Sequence, residues 1–275
     1  MKRRAKMPII TISRGSYSWG KQVAERVAEK LGYECVAREI LIETSKEFNV
    51  DEVRLVHAIS DAPSFFQRLS YGKERYITYI QAALLAHLKK DNVVYHGLAG
   101  HFFVRDISHA LKVRIIADLE DRIRLVMKRD GVSRKAAQRF IHRMDKERKK
   151  WSKQLYGIDT SNARLYDLVI HIGNLTLEDA VGMICYTSRL ERFQATEESR
   201  RVMEDSVLAA TVKAALVKKC PEVEVTARDG VVQVNTKTAK PDELRLADEI
   251  DQIARGVPGV KEVKVQLRWF TPFGT

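Results

Sequence analysis

Lys21 is the residue best placed for chemistry. It closes the run Gly15-Ser16-Tyr17-Ser18-Trp19-Gly20-Lys21, in which four residues separate two glycines. Glycines let a loop turn its backbone N–H groups inward, and a lysine adds a mobile positive charge. Together they suit the oxygens of a phosphate. Gln22 follows, where this spacing normally carries a Ser or Thr hydroxyl for Mg²⁺. An amide oxygen is a poorer substitute. The same glycines would also serve a plain strand-to-helix turn, and the flanking residues separate the two readings.

Ile9, Ile10 and Ile12 form a short apolar run of the kind that makes a buried parallel strand. Val23, Ala24, Val27, Ala28 and Leu31 then repeat at helical spacing until Gly32. Strand, glycine loop, lysine and helix in that order favour phosphate binding, lined by Gly15, Ser16, Ser18, Trp19, Gly20, Lys21 and Gln22. Trp19 either covers the phosphate site or packs the helix.

A second group of chemically capable residues lies further on. Net charge is +12, and the excess is local: between Arg122 and Lys153 there are 13 Lys or Arg against three acids, but from Arg200 onward 13 against 11. A patch that concentrated implies a polyanionic ligand, nucleotide phosphates or nucleic acid. Nucleic acid is the weaker choice, because Phe140 and Trp151 are the only aromatics in that segment. Arg139 and Arg143 lie four apart and share a helix face, with Arg148 near the same side of the next turn. They either fold over phosphates as catalytic arginines or form a solvated basic face. Arg38 either meets an acceptor phosphate or is a surface residue at a helix start. His96 either bonds a base or ribose, or is a satisfied histidine at a strand end. Tyr71, Tyr76 and Tyr79 at helical spacing read as core. Cys35, Cys185, Cys220 and the seven histidines show no metal-ligand spacing, so no protein-held metal site is expected. No apolar run spans a bilayer and no secretory segment is legible, so the expectation is a cytoplasmic chain.

The elements that must position these residues alternate. Strands are read at 33–36, 93–96, 113–117 and 168–172, separated by helices at 38–48, 71–90, 118–129, 133–154 and from Thr176. Such alternation predicts a parallel sheet covered on both faces, with ligands at the carboxyl ends of its strands. Gly15–Lys21, Ala37–Arg38, His96–Gly100 and Asp118 then share one rim, and the basic segment folds over it as a lid. Near Phe193 the composition shifts. Gln194 to Arg201 reads as a linker continuing a helix, followed by helix 207–217, a hairpin through Asp229-Gly230, helix 244–254 and a strand at 260–267. The expected division is 1–193 and 194–275.

Residues 8 to about 190 resemble the cytidylate kinase-like family of P-loop nucleoside monophosphate kinases. The resemblance is carried by Ile10 to Arg14, Ser18-x-Gly20-Lys21-x-Val23-Ala24, Ala37-Arg38-Glu39-Ile40-Leu41, the glycine loop after the third strand, Arg122-Ile123-Arg124 and Tyr166-Asp167-Leu168-Val169-Ile170. It implies a P-loop NTPase sheet with a helical lid, ATP and Mg²⁺ as cofactors, Arg122 on the nucleotide, and Arg38, His96, Gly97 and Gly100 on the acceptor. Residues 200–268 resemble a BON domain, through Asp229-Gly230-Val231-Val232-Gln233-Val234 and Ile253 to Val263. That implies a small α+β domain with an unknown ligand or a membrane-surface partner. Ala37, Leu98 and Gln22 depart from the kinase pattern. Two functions follow: phosphorylation of a CMP-like monophosphate, or a non-catalytic nucleotide sensor coupled to the second domain. Because loop, rim and lid precede the linker, removing 200–275 is expected to spare activity.

Overall fold

The computed structural model describes residues 8–37, 39–48, 72–97, 100–238 and 243–269. Five parallel strands form one sheet in the order β2-β3-β1-β4-β5: β1 Ile9–Arg14, β2 Glu34–Val36, β3 Val93–His96, β4 Ala110–Ala117 and β5 Leu168–Ile172. β1 is central, pairing with β3 (Ile12 opposite His96) and with β4 (Ile12 opposite Val113). It is buried on both faces, which explains isoleucines at adjacent positions pointing to opposite sides.

Alternation along β1 assigns the two layers. Ile10 and Ile12 face a core shared with α1 (Gly20–Leu31) and α7 (Leu177–Ser188). Ile9 faces the opposite core, shared with α2 (Glu39–Phe48), α3 (Gly72–Leu88) and α8 (Glu197–Leu216). Gly100 opens the short α4 (Gly100–Phe103) after β3. α5 (Leu119–Asp130) and α6 (Arg134–Tyr156) form a hairpin past β4, with a small core of Ile123, Val126, Ala137 and Ile141. Ser133 caps α6 by accepting from the Ala136 N–H. Tyr76 and Tyr79 are core residues, also as expected; Tyr71 lies outside the described residues.

A second, smaller sheet follows, in the order β6-β7-β8: β6 Glu224–Arg228, β7 Val231–Thr238 and β8 Glu262–Trp269. β6 and β7 are antiparallel across Asp229-Gly230, both at positive φ, and β7 and β8 are parallel across α9 (Glu243–Arg255). The stretch 194–201 is not a linker from end to end. Thr196 and Ser199 make a reciprocal cap, and Glu197 onward is the first turn of α8. α8 belongs to both cores. Met203, Ala210, Ala214 and Val217 pack with Tyr79 and Leu84 of the first unit, while Val212 and Leu216 pack with Val232, Val234 and Ile250 of the second. A buried carboxylate reinforces the join: Asp91 lies 3.4 Å from His109 and 3.8 Å from Arg200 of α8. No described helix is long and apolar enough to cross a membrane.

Candidate phosphate-binding site

β1 delivers the chain to a loop, residues 15–19, at the carboxyl edge of the sheet. The Gly15 N–H donates to the Ile115 carbonyl at 3.1 Å. The Ser18 hydroxyl lies 3.1 Å from the Gly15 carbonyl and 3.0 Å from that of Ile115, so its side chain pins the loop to β4. Tyr17 and Trp19 adopt positive φ of 60° and 59°. Trp19 is half-buried and packs against the core on the α1 side of the sheet. Gly20 is required by proximity: a Cβ there would stand 2.6 Å from the Arg14 side chain. Lys21 and Gln22 are exposed on the first turn of α1, and Lys21 pairs with Glu25 at 3.5 Å.

The α5–α6 hairpin reaches this loop. Arg122, its side chain 12% exposed, donates from Nε to the Ser16 carbonyl at 2.7 Å and from Nη2 to Asp145 at 2.7 Å. The Ser16 N–H donates to Asp145 Oδ1 at 3.4 Å. Arg148 donates to the Arg14 carbonyl at 3.1 Å. Burial, with Arg14 and Arg122 beside it, pushes the Arg148 guanidinium down to about 10. Burial also lowers Arg14. Arg122 thus pairs with Asp145, and Arg148 feels Asp145 on one side and Arg14 and Arg122 on the other. The Ser16 hydroxyl, 1% exposed, has no hydrogen-bond partner among the described residues. Tyr17 extends into the hairpin core, with Arg129 over its ring at 4.4 Å and Phe140 at 5.6 Å.

This placement corrects the expected arginine pair. The inner stripe of α6 runs Ala137, Ile141, Asp145, Arg148, Ser152. Arg139 and Arg143 fall on the opposite side and are exposed, with Arg143 over the Phe140 ring at 5.6 Å. Of the three lid arginines only Arg148 meets the loop. Asp145 and Arg14 were missed. The signal for Asp145 was available: buried Ala137 and Ile141 set a helical stripe whose next members are 145 and 148.

On the acceptor side, Arg38 lies outside the described residues, as do Leu98 and Ala99. His96 is buried at the end of β3. Gly97 and Gly100 are both shaped by Tyr95, because a Cβ at either would stand 2.3 or 2.4 Å from its ring or hydroxyl. On the same sheet face as Ser13 lies a second polar cluster. The Tyr166 hydroxyl lies 3.3 Å from Ser13 Oγ, 3.3 Å from His101 Nε2 and 3.0 Å from the Thr160 carbonyl. Arg114 donates to it at 3.2 Å. Burial, with Arg114 and Lys112 adding repulsion, pushes His101 down to about 3, so the imidazole is neutral. Asp167 accepts from the Lys112 N–H at 2.8 Å, which gives the Tyr166-Asp167 pair its task of fixing β5 to β4.

A parallel sheet with a glycine loop after its central strand and a helical hairpin over that loop defines a P-loop kinase-type α/β domain. Residues 9–174 match the cytidylate kinase-like family, and the chain belongs to that family. It is 26% identical over 190 residues to a cytidylate kinase of Archaeoglobus fulgidus, covering 69% of this chain and 99% of that one. A cytidylate kinase of Methanopyrus kandleri is 28% identical over 171 residues, covering 59% and 83%. The crystal structure of an uncharacterized protein from Eubacterium ventriosum superposes with a TM-score of 0.51 at 24% identity, covering 66% of this chain and 98% of that one, a likeness of fold.

Proposed function

We propose that this chain is an ATP-dependent phosphotransferase whose acceptor is a nucleoside monophosphate, CMP or dCMP first. The observation that carries the reading is the gathering of Arg14, Arg122 and Arg148 at the glycine loop before α1, in a member of the cytidylate kinase-like family. The loop fits the phosphates of ATP. It combines a helix N-terminus, the Ser16 N–H, the unpartnered Ser16 hydroxyl and a surplus of positive charge. Phosphoryl transfer asks a protein mainly for positioning and for charge stabilisation. Lys21 lies one residue into α1, where its chain is free to exchange Glu25 for phosphate oxygens. Arg122 and Arg148 are fixed by backbone carbonyls, so their charges are in place before reaction.

Arg38, His96, Gly97 and Gly100 belong to the acceptor side in this reading. Mg²⁺, when bound, neutralises phosphate charge. With Gln22 in place of a hydroxyl it would be held mainly by the nucleotide and water. ATP consumption across a panel of monophosphates tests the proposal. Weak, Mg²⁺-dependent transfer, best to CMP or dCMP, is the expected outcome, and Lys21→Ala should abolish the nucleotide-induced rise in Tm.

A second reading, a nucleotide sensor, draws on α8, which belongs to both cores and would pass a change in one unit to the other. Residues 194–275 would then act as a BON-like module with its own ligand. Tight ATP binding with no transfer to any monophosphate favours the sensor. Rescue of transfer by Leu98→Arg would mark a degenerate kinase site.

A further inference from the structure

We propose that Asp145 is a built-in phosphate surrogate: its carboxylate takes an anion seat of the glycine loop, and an incoming nucleotide phosphate must displace it. The inference rests on reading that loop as a nucleotide-phosphate site.

The partners of Asp145 are those of a phosphate oxygen. Oδ1 accepts from the Ser16 N–H at 3.4 Å, and Oδ2 accepts from Arg122 at 2.7 Å. Arg122 simultaneously grips the Ser16 carbonyl at 2.7 Å, so the seat is a closed unit of loop, guanidinium and carboxylate. Arg148 stands beside it, with Arg14 next to Arg148 in turn, so Asp145 is one acid against a surplus of guanidiniums. The occupation is incomplete. The 3.4 Å contact is long for an N–H bond, and the buried Ser16 hydroxyl has no partner. A tetrahedral phosphate carries more charge and more acceptor oxygens than a carboxylate, so it can satisfy groups that Asp145 leaves unmet. Two anions cannot share the seat without strong repulsion. Asp145 is on α6, so its departure also loosens the hairpin from the loop. Nucleotide affinity and hairpin position are thereby linked through one side chain.

The alternative is that Asp145 only orients Arg122, and the sign of one measurement separates the two. An orienting acid, once neutralised, lets Arg122 drift, and anion binding weakens. A surrogate, once neutralised, stops competing, and anion binding strengthens. ADP binding to the full-length protein is measured calorimetrically without divalent metal, for wild type, Asp145→Asn, Asp145→Ser and Lys21→Ala. The proposal expects both Asp145 variants to bind ADP more tightly, by about fivefold or more, with Lys21→Ala weaker than wild type. Unchanged or weaker binding in folded Asp145→Asn and Asp145→Ser, with Lys21→Ala still impaired, overturns the surrogate alone. Wild-type affinity in Lys21→Ala overturns the loop reading and the surrogate with it.

Discussion

The two sheets of this molecule treat charge differently. The five-stranded sheet draws charged and titratable side chains inward at both ends: Arg122, Arg148 and His101 near its carboxyl edge, and Asp91 with His109 at its base. Among the described residues of the three-stranded unit, the buried polar side chains are Ser199 and Thr236, neither of them charged. Its ion pairs, Lys237–Glu222, Lys264–Glu262 and Arg255–Asp251 among them, keep their side chains a third or more exposed. Drawing charge out of water is costly and persists where partners or function require it. Buried charge therefore gathers at the first rim, the site proposed for phosphoryl transfer, whereas the second sheet rests on an apolar core and on α8.

The largest break in that comparison comes from cutting between the units. A chain ending at residue 193 loses α8 and with it Met203, Ala210, Ala214 and Val217 from the first core. Each such residue removed from a packed core costs about 2–5 kcal/mol when large and less for alanine, and together they approach the whole stability of a domain. We expect no cooperative thermal transition by circular dichroism. A chain ending at residue 218 keeps α8 and should melt cooperatively, at a lower Tm because Val212 and Leu216 lose their cover. This reverses the expectation from sequence that removing 200–275 spares activity.

Next in size are the arginines of α6. Arg148→Ala should reduce phosphoryl transfer on the order of 10² or more, because it removes a fixed charge at the loop. Arg143→Ala should stay within about twofold, since Arg143 is exposed beyond the inner stripe. Equal losses in both variants would return the site to the pairing suggested by their spacing.

The fold was legible where periodicity was strong. The isoleucines of β1, the helical repeat of α1 and the Asp229-Gly230 turn all announced themselves. The first half of α8 did not, because its opening turn, Glu197 to Arg201, is as polar as a linker. Only the Thr196 and Ser199 spacing distinguishes a capped helix from a coil there. In the site, glycine spacing pointed to the loop, but charge misled. Arginines were chosen for being four apart, while the apolar stripe through Ala137 and Ile141 decides which of them face inward. Asp145 escaped notice because an acid among 13 bases looks like surface balance.

A smaller effect should appear in acid. His101 is neutral in the folded chain, with its proton affinity pushed down to about 3, whereas in the unfolded chain it titrates near 6.5. Between these values the unfolded state binds the extra proton. Stability is therefore complete above about pH 6.5 and falls as pH drops toward 3, by at most about 1.4 kcal/mol per pH unit from this group. His101→Gln offers Tyr166 a polar partner without titrating, so its Tm should fall less steeply over that window. A parallel slope in wild type and variant would show that other groups set the acid sensitivity.

The smallest expected effect sharpens the contrast between the sheets. Arg245 pairs with Glu249 at 3.1 Å, but its side chain is 84% exposed, and Lys237 and Glu222 are 63% and 64% exposed. Water and salt screen such pairs, and ordering two long side chains cancels much of what attraction remains. Arg245→Ala and Lys237→Ala should each leave Tm within about 1 °C of wild type at 0.15 M salt. Arg122→Ala removes the same charge from a position 12% exposed, where Asp145 and the Ser16 carbonyl would lose their partner. Its Tm should fall by several degrees, as expected when buried polar groups are left unpaired. A drop of similar size in Arg245→Ala would mean that the three-stranded unit depends on its surface charges as the rim depends on its buried ones. The division between a charged rim and an apolar support would then be wrong.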